Sequence, residues 1–180
     1  MEYTIEKLLA EEQWKQLNVI EGKESCKRKI EGIRIIEVPE MARYLTGGEL
    51  LLTSLYVYRD CSAEEFYQYL IAFEEKHISG ILLKEREQIS EKEKKIKLLK
   101  TYCESKKIPL IEMPKKISFW VMISFVMNRI FTKDVARLRY FKLTQDNFNT
   151  LSFGRDITSS KTQDILELLS DMVDNLSLIH

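Results

Sequence analysis

E-L-L-L-T-S-L-Y-V-Y-R-D-C-S-A-E-E-F-Y-Q-Y-L-I-A-F-E-E-K-H-I-S-G-I-L-L-K, residues 49–84, is the stretch that decides the fold. Glu49 to Thr53 is a short apolar run of strand type. Ser62-Ala63-Glu64-Glu65 then forms a capping box, in which a serine oxygen and a glutamate three residues on satisfy each other's unpaired backbone amides, so a helix starts there. Phe66, Leu70, Phe73 and His77 follow at helical spacing, an apolar stripe that faces a sheet. Gly80 breaks that register, and Ile81-Leu82-Leu83 reads as a second buried strand.

Toward the C-terminus the pattern repeats. Ser90-Glu91-Lys92-Glu93 reads as another capping box, with Ile96, Leu99 and Cys103 inward and the run E-K-E-K-K-I-K-L-L-K largely outward as a solvated face. Pro109 to Met113 makes the next strand, with the proline at its tolerated first position. Toward the N-terminus, Val19 to Glu21 and Ile33 to Val38 read as strands, separated by the lysine-dense G-K-E-S-C-K-R-K, a solvated loop. Glu40 to Tyr44 forms one helical turn, and Thr4 caps a short opening helix carrying Ile5, Leu8 and Leu9. Strands alternating with helices through short connections imply an α/β fold: a mostly parallel sheet of about five strands with flanking helices, followed by a C-terminal helical extension.

Ligands of open parallel sheets bind outside the carboxyl ends of the strands. By that rule the lining comes from Thr53, Ser54, Lys84, Arg86 and Glu112, with Glu37 near if its strand runs the same way. Lys84 and Glu112 can equally well pair as a salt bridge at the sheet rim. Gly47 and Gly48, just before Glu49, let the backbone turn sharply or approach another group closely. A ligand loop and a plain tight turn are both open there.

The same stretch resembles the N-terminal domain of the PucR-type, purine-catabolism-regulator-like family of bacterial transcriptional regulators. Its pattern, an Arg, V-x-V-x-E-x-P-D and then G-G-E-L-x-L-T-T-G, is filled here by Arg28, Ile33, Ile35, Glu37, Pro39, Gly47, Gly48, Glu49, Leu50, Leu52 and Thr53. Lys27 stands where the family has Asp, Glu40 replaces the Asp after the proline, and Ser54-Leu55 replaces the closing Thr-Gly. The resemblance begins at Tyr3 to Leu9 and continues through Ser79 to Lys84 and Ile108 to Pro114. It implies a sensor domain over residues 1–132. Residues 133–180 then correspond to a helical linker and the start of the region that follows. It implies a small polar metabolite, purine-derived, as ligand; the strand-end rule and the glycine turn together give Glu37, Gly47, Gly48, Glu49, Thr53, Ser54, Lys84, Arg86 and Glu112 as its candidate contacts. DNA recognition would belong to a helix-turn-helix domain outside this chain.

Composition points the same way. Lys plus Arg and Asp plus Glu each number 28, so no global basic field attracts phosphate backbones, and direct DNA binding is not expected. Cys26, Cys61 and Cys103 are odd in number and far apart, which fits a reducing cytoplasm and neither a disulfide framework nor a zinc site. Glu2 and Glu6 do not suit a signal peptide, and Ile117 to Phe131 is too short and too polar for a bilayer span. With His77 and His180 as the only histidines, and no phosphate-loop or dinucleotide motif, the chain is read as a non-enzyme without cofactor, metal or catalytic residues. Phe119 to Phe131 reads as an apolar helix. A second helical segment carries Val135, Leu138 and Phe141, and Gly154 to Thr158 forms a break. Ser160 to Gln163 caps a final helix striped with Ile165, Leu168, Leu169, Met172 and Leu176. Such stripes serve a homodimer interface or fold back on the domain, so a dimerisation module without a ligand is the competing reading.

Overall fold

A computed structural model describes residues 2–84 and 89–131. Arg86 and the helices expected from residue 133 onward lie outside the described residues. Within them, Glu2–Ile130 form one compact unit. Its elements are α1 (Ile5–Ala10), β1 (Asn18–Glu21), β2 (Gly32–Ile35), β3 (Glu49–Thr53), α2 (Ala63–Ile71), β4 (Gly80–Leu83), α3 (Lys92–Ser105) and β5 (Leu110–Glu112). Residues 119–131 are helical and are called α4. The sheet order is β1-β5-β4-β3-β2, with β2 to β5 mutually parallel and β1 an antiparallel edge. The expected α/β architecture is therefore the one observed.

Both faces of the sheet are covered, which is why β3 and β4 are buried at every position. Alternate residues point to opposite faces. Leu51, Ile81, Leu83 and Leu110 meet Phe66, Leu70 and Phe73 of the α2 region and Leu99, Tyr102 and Cys103 of α3. Leu50, Leu52, Leu82 and Ile111 meet Ile5, Leu8, Trp14 and, from α4, Met122 and Val126. Between β2 and β3 a single 3-10 turn, Met41–Tyr44, replaces the usual crossover helix and still buries Met41 and Ala42.

The caps are partly as expected. Thr4 accepts from the Lys7 amide, and the Ser62–Glu65 box is complete. The second box is not formed. α3 starts at Lys92 with Glu91 as N-cap in a left-handed conformation, because Glu91 turns its carboxylate to the Ala63 amide at 2.9 Å and so caps α2 instead. Ser90 donates to the Arg59 carbonyl. His77 is not on the stripe of α2: the helix ends at Ile71, a 3-10 turn follows, and His77 is exposed with φ +47° where the chain reverses into β4. Nor is the charged run of α3 wholly solvated. Lys95 is completely buried, its stem in the core and its Nζ donating to the Tyr58 carbonyl at 2.8 Å and to Ser90 Oγ at 3.2 Å.

Candidate functional site

β2 runs parallel to β3, so the condition on Glu37 is met, and the carboxyl ends of β2 to β5 bring Glu37, Thr53, Ser54, Lys84 and Glu112 to one edge. Glu37 and Glu112 are exposed there and Ser54 is half-buried. Two of the five already have partners within the fold. Thr53 is buried, and its Oγ1 accepts from the Leu55 amide at 2.9 Å. Lys84 does not pair with Glu112 among the described contacts; its Nζ donates to the Ile117 carbonyl at 2.6 Å and lies 5.6 Å from the Phe119 ring centroid. It thereby fixes the segment entering α4. Leu55 has φ +59°. The backbone at Leu55, the position of the pattern's closing glycine, is thus left-handed, and the leucine that accepts this strain buries its side chain.

Gly47, Gly48 and Glu49 lie at the other end of β3. From Gly48 to Thr53 an extended chain covers roughly 16 Å, so the structure does not bring the glycine turn together with Thr53 and Lys84. The turn is a built piece of the fold. One Glu49 oxygen accepts from the Thr46 amide and hydroxyl, each at 2.8 Å, and the other from the Gly47 amide at 2.8 Å. Burial raises the pKa of this carboxyl, but the bonds from Thr46 and Gly47 outweigh it and hold it below the ordinary value. Gly48 has φ +76°, and a Cβ there would stand 2.7 Å from Glu31 Cγ. Its carbonyl accepts from the Glu31 amide at 2.8 Å and shares the single proton of the buried Ser79 hydroxyl with the Lys29 carbonyl, which lies 2.6 Å from that hydroxyl.

Arg28, read from sequence as part of a solvated basic run, is another brace: it donates to the Ile78 carbonyl at 2.7 Å and to the Lys106 carbonyl at 3.4 Å. Its place in the family pattern was the signal for that role. Lys95 gave no such signal, being one lysine among several in α3. Burial pushes the thiols of Cys26 and Cys61 up and that of Cys103 to about 12, so none of the three is activated as a nucleophile. No described helix is long and apolar enough to cross a membrane.

Residues 7–130, more than half of the chain, match the family model described as "Purine catabolism regulatory protein-like family". The match contains all five strands, the glycine turn and every described candidate residue. No curated protein matches the chain.

Proposed function

The chain belongs to the purine catabolism regulatory protein-like family, and on that premise we propose that it is the ligand-sensing part of a cytoplasmic bacterial transcriptional regulator. It binds a small polar metabolite, purine-derived or a related nitrogen compound, and sets the state of a helix-turn-helix DNA-binding domain. The single observation that carries this reading is the family match across the whole sheet. The unactivated thiols, and a His77 that is exposed at the chain reversal into β4, support a binding role over nucleophilic chemistry. A ligand moves such a regulator only through a difference in affinity for its two arrangements, typically about 1 to 3 kcal/mol.

A thermal-unfolding screen against purines, ureides, nucleotides and amino acids tests the reading. Free ligand at about a hundred times its dissociation constant stabilises the protein by about 2.7 kcal/mol, a shift of several degrees. A shift confined to one chemical class establishes a sensor, and a flat screen removes it. The second reading, a dimerisation module without a ligand, is favoured by α4, where Trp120 is 74% and Val121 51% exposed. A stable dimer that Trp120→Glu converts to monomer, together with a flat screen, supports that second reading.

A further inference from the structure

Away from the strand ends, α1 and α4 enclose an open groove of about 360 Å³ lined by Tyr3, Lys7, Ala10, Glu11 and Arg129. That volume suits a small metabolite. Lys7, Ala10 and Glu11 share a face through their i, i+3 and i+4 spacing. Arg129 reaches across from α4, with Nη2 2.9 and 3.0 Å from the two Glu11 carboxylate oxygens. Its guanidinium carbon also lies 5.1 Å from the Phe125 ring centroid, and Phe125 packs edge-on against Trp14 at 5.3 Å. The guanidinium is thus oriented on two sides. Beside this pair the Tyr3 hydroxyl is shielded from water and has no hydrogen-bond partner. Burial, then the Glu11 charge, push its pKa to about 12, with Arg129 opposing, so the group stays a neutral donor.

The charge pattern selects the ligand. Lys7 and Arg129 against Glu11 leave one net positive charge, which asks for an anion. Glu11, released from Arg129, accepts only N–H or O–H donors. The ion pair is partly exposed, with side-chain accessibilities of 26% for Glu11 and 49% for Arg129, so exchanging it for a better-matched ligand costs little. We propose that this groove is the binding site for a small carboxylate that also carries N–H donors, its carboxylate held by Arg129 and Lys7 and its N–H group by Glu11. The proposal rests on the sensor reading, narrows its ligand class and places the ligand in this groove instead of at the carboxyl edge of the sheet. It also gives the ligand a lever, since it joins α1 to the helix that leads into residues 132–180.

N-carbamoylglycine, which has a carboxylate and ureido N–H groups, is the probe, with acetate and urea as single-group controls. Thermal unfolding of the full chain is followed as a function of probe concentration. N-carbamoylglycine raises the melting temperature in a saturable way and the two controls at equal concentration do not. Arg129→Gln and, independently, Lys7→Gln weaken its apparent affinity about tenfold or more, while Glu112→Gln at the sheet edge leaves it unchanged. Lys7→Gln alters one half-buried residue of α1, whose Nζ otherwise donates to the Glu2 carbonyl, and covers the case in which Arg129→Gln misfolds. A shift that survives both groove substitutions, or is lost in Glu112→Gln, places the ligand elsewhere and overturns the groove while keeping the sensor. Stabilisation by another chemical class alone overturns the ligand class, and no stabilisation by any compound overturns groove and sensor together.

Discussion

Glu49→Gln changes one atom at the glycine turn and asks whether G-G-E is a structural brace. The Glu49 side chain is 4% exposed and its two oxygens receive three donors, all at 2.8 Å. Hydrogen bonds to an ionised acceptor contribute about 1.5 to 3 kcal/mol each and neutral ones about half as much. Glutamine keeps one carbonyl oxygen for Thr46, but it sets an amide donor against the Gly47 N–H and weakens the remaining bonds. Relief of the buried charge offsets part of this, so the expected loss at pH 7 is about 2 to 3 kcal/mol. Urea denaturation at fixed pH reads it as a lowered midpoint with unchanged slope.

The pH dependence identifies the ionised group. Because the folded-state pKa of Glu49 is depressed, its contribution is fully present above the unfolded value of 4.5 and is lost as pH falls through the folded value. The gap between the parent protein and Glu49→Gln therefore stays constant from pH 7 to about 5.5. It then narrows below about 4.5, at up to about 1.4 kcal/mol per pH unit. A variant within about 0.5 kcal/mol of the parent at pH 7, or a gap unchanged down to about pH 3.5, refutes the brace and returns Glu49 to the ligand candidates.

Three further outcomes follow from the packing. Leu55→Ala and Leu55→Gly both lose a buried side chain, about 2 to 5 kcal/mol, but glycine relieves the φ of +59° and is expected to be the more stable of the two, as chemical denaturation will read. Gly22→Ala would put a Cβ 2.5 Å from the Ile108 carbonyl oxygen at φ +69°, and it is expected to cost more than about 2 kcal/mol. Gly32→Ala, whose nearest contact is 3.6 Å, is its tolerated control in the same melting assay. Lys95→Ala is expected to cost about 2 to 4 kcal/mol, and Lys95→Met to recover the part due to the buried stem; equal losses in the two variants would mean that the ammonium contacts with Tyr58 and Ser90 carry the whole effect.

The sheet was legible because its signals are local. Leu50 to Leu52 and Ile81 to Leu83 show two buried faces as uninterrupted apolar runs, and the Ser62–Glu65 box marks the start of α2. What was not legible depends on contacts distant in sequence. Glu91 reads as part of a box with Ser90, yet its carboxylate goes to Ala63, 28 residues away. Lys95 reads as surface until Tyr58, 37 residues away, is placed above it. The glycine turn and Thr53 look like one motif on paper. A strand separates its two ends by its whole length, so neighbours in sequence become opposite edges of a sheet.

That separation changes how a signal at the sheet edge would have to travel. Gly47 and Gly48 are held by Glu49, Glu31 and Ser79, so the turn has few free donors to offer a ligand. The carboxyl edge and the groove share one feature: each is tied to the segment 117–131 by a charged side chain. Lys84 holds its beginning through the Ile117 carbonyl, and Glu11 holds its end through Arg129. These are polar ties, alongside the apolar burial of Met122 and Val126, and polar ties exchange with a ligand more readily than a packed core rearranges. On the sensor reading α4 is therefore the element whose seating a bound metabolite alters. Arg129 is the tie that lies outside the core, because Met122 and Val126 are buried in an apolar cluster to which neither Glu11 nor Arg129 belongs.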